Sequence, residues 1–248
     1  MATESFLGSG DLYIDRLTSA GVTQGAKIAG ATSKFEIIPE SELKEQTGKG
    51  RSNYGQVIAS AVLPGKTTIK LTINQLDAEN MALALLGDVV AGTQSSGSAV
   101  AQAVTAIADR YVELGKYSVS NVVVQDATDT TTYVEGTDYV LNTRLGMIKV
   151  LSTGSIADAA VMHIDYDYAA ASFDTITGGT SPTIRAKLVL DGTNFVTGKN
   201  CTVTVLSARL KPTSAVDFLS DDFLPLELEG LCEIPEGATS PFTVVYHA

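Results

Sequence analysis

The fold is decided by residues 35–87, which read FEIIPESELKEQTGKGRSNYGQVIASAVLPGKTTIKLTINQLDAENMALALLG. Two β-rich runs in the second half of this stretch lead into one compact helix. Residues 67–74 alternate strictly, with Ile69, Leu71 and Ile73 on one side and polar residues on the other. Period-2 alternation of this length predicts a strand with one buried face and one solvated face.

The helix that follows carries clear end signals. Asp77 is a favourable N-cap, because its carboxylate can accept from the free N–H groups of the first turn. Leu76 and Met81 have the spacing of a hydrophobic staple, and Met81 and Leu85 start an apolar stripe. Gly87 is suited to a left-handed exit. A helix of about ten residues is unstable alone in water, so we expect it to pack on the neighbouring strands.

Residues 39–56 are polar and glycine-containing, and we predict a long loop there. A loop of this length is either functional or disordered. Two interpretations remain open: a solvated flap, or an assembly loop that lies on a neighbouring subunit. On the second interpretation the contact residues between subunits or rings are Glu40, Glu42, Lys44, Glu45, Lys49, Arg51 and Tyr54.

Composition excludes several classes of function. The 248 residues carry a formal net charge of −11 and a sequence pI near 4.6, so nucleic-acid binding through a basic patch is not expected. No apolar window of about 18 residues occurs, and the N-terminus lacks the pattern of a signal peptide. We therefore expect a protein that is made or assembled in the cytoplasm and does not cross a membrane.

Little in the chain points to catalysis or metal binding. Cys201 and Cys232 show no zinc-ligand spacing, and we predict two buried free thiols. His163, Asp165 and Asp167 alternate along one strand and share a face. They either hold a metal ion or form the solvated face of that strand, and we favour the solvated face because no other ligand cluster is visible nearby.

Residues 47–52, TGKGRS, faintly resemble a phosphate-binding loop. The motif requires a glycine four residues before a Gly-Lys-Ser/Thr triplet at a strand-to-helix turn, and both features are missing. No nucleophile elbow is present either. We therefore predict no catalytic residue, no cofactor and no metal site.

The remaining sequence predicts further strands around an insertion. Residues 1–10 read as an N-terminal arm, residues 19–33 as loop and residues 93–99 as a flexible spacer. We predict a core domain of residues 1–98 and 173–248, with residues 99–172 inserted as a small β-rich region. The other predicted strands are residues 34–38, 119–125, 139–142, 147–151, 161–168, 183–190, 202–210, 223–232 and 242–246.

Two segments carry a resemblance to a known family. Residues 35–87, with the LDAENMALALLG helix, and residues 188–230 resemble the major tail tube protein of long-tailed, siphovirus-type bacteriophages. In the second segment the similarity rests on Asp191-Gly192-Thr193-Asn194, on a strand that reaches residues 210–212 and on the strand of residues 223–230. Together the two segments cover about 40% of the chain.

The resemblance implies a mainly-β fold, a β-sandwich or barrel of the tail tube type with one short flanking helix. Residues 99–172, the inserted small β subdomain, are our candidate for a region that faces outward. It also implies hexameric rings that stack into the tail tube, a conduit for DNA ejection. The implied partners are copies of the chain, the tape measure protein, the tail terminator and the baseplate or distal tail proteins. Viral DNA would pass through without specific binding, in a virion tail assembled in the host cytoplasm.

One acidic strand is a candidate for the lining of the channel. Glu227 and Glu229 alternate with Leu226 and Leu228, so one face of the strand is anionic and the other apolar. The anionic face is either an ordinary outer surface or a candidate lining of the bore. The alternative function that the sequence leaves open is a non-enzymatic β-sandwich module for capsid decoration or adhesin-like binding.

Overall fold

β-branched and apolar residues recur at period 2 between glycine-containing turns, and this pattern favours short strands. The structure, a computed structural model, describes residues 5–247, which form sixteen strands and one helix. The prediction of a mainly-β fold is confirmed. The elements up to the middle of the chain are β1 (Gly8–Leu17), β2 (Thr23–Ile28), β3 (Thr32–Thr47), β4 (Val57–Ile73), α1 (Ala78–Ala84), β5 (Asp88–Gln94), β6 (Gly97–Thr105), β7 (Tyr111–Glu113) and β8 (Val119–Asp126). The later elements are β9 (Tyr139–Asn142), β10 (Met147–Val150), β11 (Val161–Tyr168), β12 (Ala171–Thr177), β13 (Ile184–Asn194), β14 (Lys199–Pro212), β15 (Leu226–Cys232) and β16 (Phe242–Tyr246).

The chain divides into two compact units. The first contains the described residues up to Val90 and those from Ile176 onward, and the second contains Ala91–Thr175. The sequence analysis placed these boundaries at 98/99 and 172/173. The chain enters the second unit within β5 and leaves it within β12. These two strands pair with each other as a two-stranded ribbon.

One eight-stranded sheet forms the first unit. Its strand order is β2-β1-β13-β14-β15-β4-β3, and β16 pairs with β14 beside this path. The alternating residues of β4 that the sequence placed on the dry face, Ile69, Leu71 and Ile73, are fully buried. They join apolar residues of β1, β13, β14 and β15 in one core. The predicted alternation of β4 is therefore confirmed.

The sheet curls around this core. β1 and β3 are separated by four strands in the sheet order, yet both line one cavity of about 190 Å³. The cavity is bounded by Gly8 and Gly10 of β1 and by Thr32 and Phe35 of β3. Curling of this kind lets a single sheet enclose its own apolar face.

Helix α1 packs on the same core through Leu83 and Ala84, as its shortness requires. The predicted cap is confirmed, because the side chain of Asp77 accepts from the Asn80 N–H at 2.8 Å. The predicted exit is wrong. The left-handed residue is Leu86, with φ of 51°, whereas Gly87 is required because a Cβ there would lie 2.3 Å from the carbonyl oxygen of Thr177.

The second unit has its own core. Its two three-stranded sheets have the orders β7-β10-β9 and β6-β11-β8. The buried cluster between them includes Leu114, Ile148, Met162, Ile164 and Tyr166. The predicted strand at 161–168 and the predicted hairpin at 139–151 are both confirmed.

Three segments predicted as loop or spacer contain strands. Residues 19–33 contain β2, and residues 93–99 are the ends of β5 and β6 with a short connection between them. The largest difference concerns residues 39–56, of which the first nine belong to β3 and only residues 48–56 form a turn. In the predicted N-terminal arm, residues 1–4 lie outside the described part of the chain, and residues 8–10 already belong to β1.

Candidate assembly surface

The longest exposed stretch of regular structure in the described chain is the long hairpin, which we define as residues 38–66 of β3, β4 and their turn. From Thr67 onward β4 has a buried face, but every residue of Val57–Lys66 is exposed. The paired part of β3, residues 38–47, is exposed on both faces as well. About ten residues per strand at roughly 3.3 Å each make an arm of about 30 Å beyond the core.

The pairing along the long hairpin is regular for most of its length. Ser41 lies opposite Pro64, and the register continues without interruption from Glu42↔Leu63 to Gln46↔Ala59. The turn is closed by hydrogen bonds from the Gly48 N–H to the Gln56 carbonyl and from the Gly55 N–H to the Gly48 carbonyl. The segment is therefore a hydrogen-bonded β-hairpin and not an irregular loop.

The predicted contact residues divide between two parts of the hairpin. Glu40, Glu42, Lys44 and Glu45 lie on β3, whereas Lys49, Arg51 and Tyr54 lie in the turn. Lys44 pairs with Glu42 on the same strand at 2.6 Å, and Lys66 of β4 lies 3.7 Å from Glu40. Such exposed ion pairs contribute little to stability. Tyr54 at the tip is 79% exposed.

The apolar side chains of the hairpin were not identified as site residues from sequence. Leu43 and Val62 lie directly opposite each other on the same face, and both are more than half exposed. Val57, Ile58 and Leu63 are exposed as well. An ordered β ribbon that leaves five large apolar side chains in water is typical of an interface. The sequence signal for this surface is the apolar run 57–63, which fits equally well a strand that is buried within its own chain.

The acidic face of β15 forms as predicted, but its surroundings are mixed in charge. Leu226 and Leu228 are buried, and Glu227 and Glu229 point to the opposite face. Glu229 lies 3.8 Å from the ammonium of Lys70 on β4. Lys211 of β14 lies opposite Glu229 in the register on the other side. The candidate bore-lining face therefore alternates acidic and basic residues across strands, which the sequence of β15 alone could not indicate.

An arginine cluster lies at the end of the sheet where β13 begins. Arg185 and Arg209 are directly opposite each other on β13 and β14. Both pair with Glu233, and the Arg185 Nε also donates to the Ser207 hydroxyl at 3.0 Å. One carboxylate between two guanidinium groups leaves this cluster with a net positive charge.

The three residues considered for a metal site each bind a different partner within the second unit. The Nδ1 of His163 lies 2.7 Å from a carboxylate oxygen of Asp129. Asp165 accepts from the Ala101 N–H at 2.6 Å, and Asp167 accepts from Asn121. Within residues 5–247 no group of three His, Cys, Asp or Glu side chains is arranged to hold a metal ion.

Both cysteines are free thiols, as predicted, but they differ in burial. Cys201 is buried on β14, whereas Cys232 at the end of β15 is half-buried. Burial raises the pKa of the Cys232 thiol to about 11, so it stays protonated at neutral pH and is a poor nucleophile.

The segment that resembles a phosphate loop is the turn of the long hairpin. The Gly50 N–H donates to the side-chain oxygen of Asn53, and the N–H groups of Gly48 and Gly55 close the turn. These donors are used within the turn, and strand β4 follows in place of a helix. The segment therefore has no phosphate-binding geometry.

Fold and surface together define a mainly-β protein with a curled sheet, a projecting hairpin and an inserted second unit. The chain belongs to the family described as Protein of unknown function UCP028589, whose model matches residues 5–235. Among curated proteins, none matches the chain. Within residues 5–247, no helix has the length and apolar character needed to span a membrane.

Proposed function

We propose that this chain is the subunit of a phage tail tube, in which copies form hexameric rings that stack around a central channel. The tube would guide DNA during ejection and would meet the tape measure protein inside, the tail terminator at one end and the baseplate or distal tail proteins at the other. Assembly would take place in the bacterial cytoplasm and the product would be part of the virion.

The long hairpin carries this proposal. A two-stranded ribbon with both faces in water is marginal alone, and natural proteins rarely leave such a ribbon uncovered. Its exposed Leu43 and Val62, flanked by charged residues, are suited to a surface that is buried on assembly. A neighbouring copy supplies this cover for every subunit at once, as in a ring or a stack.

The sheet edges support the same proposal. β2 and β16 lie at free positions of the sheet order, and all residues of β2 are exposed. On β16, Val245 and Tyr246 are at least half exposed. Edge strands of this kind pair readily with another chain, and closed assembly removes the edges.

Charge is compatible with a channel for DNA. The net charge of −11 opposes retention of a polyanion, and screening confines the repulsion to about 8–10 Å at physiological salt. On the face of β15, Glu229 lies beside Lys70 and opposite Lys211, so no unbroken run of cations is presented there. We expect no measurable affinity for duplex DNA at physiological salt.

Electron microscopy of the purified protein at high concentration tests the proposal. The full chain should form rings or tubes with a central hole. A variant in which residues 41–64 are replaced by Asn-Gly keeps the register below Ser41↔Pro64 and should remain a folded monomer that forms no tubes. Scattered globules of the full chain would favour a decoration or adhesin-like module and overturn the proposal.

Point variants separate the hairpin surface from general loss of apolar character. Leu43→Ser with Val62→Ser should raise the concentration needed for tubes by at least about 10-fold. Burial of each side chain contributes about 1.5–3 kcal/mol, and about 1.4 kcal/mol is one factor of ten. The matched control is Phe195→Ser with Val196→Ser, which are equally exposed in the turn between β13 and β14. Equal effects of the two pairs would count against the hairpin as the contact.

A further inference from the structure

The loop between β14 and β15, residues 213–225, exposes three large apolar side chains between positions 218 and 223. Phe218 is 70% exposed, Leu219 is 92% exposed and Phe223 is fully exposed. Scattered apolar residues on a surface are ordinary, but three largely exposed ones in one short loop indicate a surface that a partner covers. This loop is distant in sequence from the long hairpin and needs its own partner.

The backbone of the loop is organised. The Thr213 N–H donates to the Glu227 carbonyl at 2.9 Å, and the Leu219 N–H donates to the carboxylate of Asp217 at 2.9 Å. The hydroxyl of Ser214 accepts from the Glu227 N–H and so holds the base of the loop against β15. The apolar side chains are therefore presented by an ordered loop.

The loop is also strongly acidic. It carries Asp217, Asp221 and Asp222 and contains no Lys or Arg. Among the lysine and arginine side chains of residues 5–247 other than Lys199, none forms an ion pair with these three carboxylates. The partner surface should therefore be basic at its rim and apolar at its base.

One cavity of the first unit has this character. It has a volume of about 300 Å³ and we call it the arginine pocket. Its lining is Arg16, Leu17, Thr18, Ser19, Ser181, Pro182, Thr183, Ile184, Arg185 and Arg209. The lining thus combines three arginines with the apolar residues Leu17, Pro182 and Ile184. Arg16 is paired with Asp88, but Arg185 and Arg209 share the single carboxylate of Glu233, so the pocket is net positive in an otherwise acidic protein.

The positions of loop and pocket suit a contact between copies. Ile184 at the start of β13 lies opposite Leu210 near the end of β14, so both features lie at the same end of the sheet. The pocket lies towards β1 and the loop towards β15. In a ring, each subunit contacts the next one through two different surface patches. Because the loop and the pocket lie at the same end of the sheet, they can meet without displacing one copy along the strand direction.

From these observations we infer that the 213–225 loop of one copy docks in the arginine pocket of the next copy. Phe218, Leu219 and Phe223 are buried on docking, and the three aspartates face Arg185 and Arg209. The inference rests on the proposed self-assembly and names its lateral contact, which is separate from the contact made by the long hairpin.

Cross-linking between two variants tests the docking. A Leu219→Cys chain is mixed with a Thr183→Cys chain, both with Cys232→Ser, and the mixture is oxidised mildly. A disulfide-linked dimer should form in the mixture and in neither variant alone. Its yield should fall severalfold in 1 M salt, because charge attraction between the partners is screened.

Charge variants of the loop give a second measurement. Asp221→Lys with Asp222→Lys should lower the cross-link yield at least 10-fold, and Arg209→Glu in the partner should restore part of it. The matched control is Glu135→Lys with Asp174→Lys, which changes the net charge equally at exposed positions of the second unit. This control should leave the yield unchanged.

The outcomes are distinguishable from failure of the proposed function. Rings that form without the 219–183 cross-link would overturn the docking and leave tube assembly standing. The cross-link without rings would support the docking and count against the tube. A chain that carries both cysteines and closes the disulfide within itself would overturn the docking, because the loop would then fold onto its own pocket.

Discussion

The alternating carboxylates of β11 form hydrogen bonds with two residues of neighbouring strands whose backbones are in the left-handed conformation. Ala101 on β6 and Asn121 on β8 have φ of 49° and 51°, and the register of β11 shifts beside each of them. Asp165 accepts from the backbone N–H of Ala101, and Asp167 accepts from the side chain of Asn121. These carboxylates therefore stabilise two β-bulges that flank the strand.

The strain at Ala101 leads to a test at one residue. Ala101→Gly should stabilise β6 and β11 by about 0.5–1 kcal/mol, because glycine adopts positive φ without the steric cost that alanine has there. The hydrogen bond to Asp165 uses the backbone and is retained. Ala103→Gly is the matched control, since Ala103 is exposed on the same strand without a positive φ. It should destabilise by about 0.5–1 kcal/mol.

Hydrogen exchange of the β11 amides in the full chain measures how each variant changes local stability, since the protection factors give the free energy of local opening. Opposite signs for the two glycine substitutions are expected. Equal losses of protection would mean that Ala101 is not strained.

Sequence could place these side chains on a face but could not identify their partners. Alternation along β11 correctly put His163, Asp165 and Asp167 on one side of the strand. Their hydrogen-bond partners come from β6, β8 and the turn after β8, at separations of 34 to 69 residues. Local pattern carries no information on pairing at that distance, so the structural role of the carboxylates was not visible.

At the level of elements, helix α1 was predictable because its signals are local. Asp77 caps it, and Lys27 of β2 adds ion pairs to Asp77 and Glu79 at 3.0 and 3.2 Å. Partial burial opposes ionisation of Asp77, but hydrogen bonds from the Asn80 N–H and from Lys27 outweigh it and lower its pKa below the ordinary 3.8. The exit was missed because a hydrogen-bonded Schellman turn places Leu86, not glycine, in the left-handed position.

Removal of the cap should be measurable and pH-dependent. Asp77→Ala should lower the free energy of unfolding by about 1 kcal/mol at neutral pH. The folded carboxyl has the lower pKa, so its contribution is complete above about pH 4 and is lost as pH falls through the folded pKa. Urea unfolding of the two proteins should therefore converge in acid. Glu79→Ala, which loses an exposed ion pair but keeps the cap, should cost only a few tenths of a kcal/mol.

The long hairpin was the element that sequence described least well. Period-2 patterns reveal a strand when one face is buried, and burial of β4 stops at Thr67. Beyond that point β3 presents charged residues on both faces, which have the composition of a loop. Its strand conformation depends on pairing with Val57–Lys66 and not on its own pattern.

For the whole molecule, the second unit has the features of an independent domain. Its buried cluster contains only residues of that unit, including Ile148 and Ile164, and both chain crossings lie in the paired strands β5 and β12. The insertion could be proposed from sequence because a strand pattern resumes after the small, polar residues 93–99. The observed boundaries differ from the predicted 98/99 and 172/173 because the chain passes between the units within the paired strands β5 and β12.

Acid should destabilise this unit in particular. Hydrogen bonds from the Thr130 and Thr131 N–H groups hold the pKa of Asp126 far below its ordinary value. Hydrogen bonds from the N–H groups of Val134 and Ser155 also lower the pKa of Asp138 below its ordinary value. Since each folded carboxyl has the lower pKa, the unfolded chain binds protons first, and stability falls as pH drops below about 4.

Separate expression of residues 91–175 tests whether the second unit folds independently and whether acid destabilises it. The fragment should show β-type circular dichroism and one cooperative thermal transition, because its core is closed without the first unit. Its melting temperature should stay constant from about pH 7 to 5 and fall below about pH 4, and Asp126→Asn should weaken that dependence. The complementary chain, with Val90 joined to Ile176 through two glycines, should keep its own fold and the capacity for tube assembly. An unfolded fragment, or a melting temperature that rises in acid, would contradict this account of the second unit.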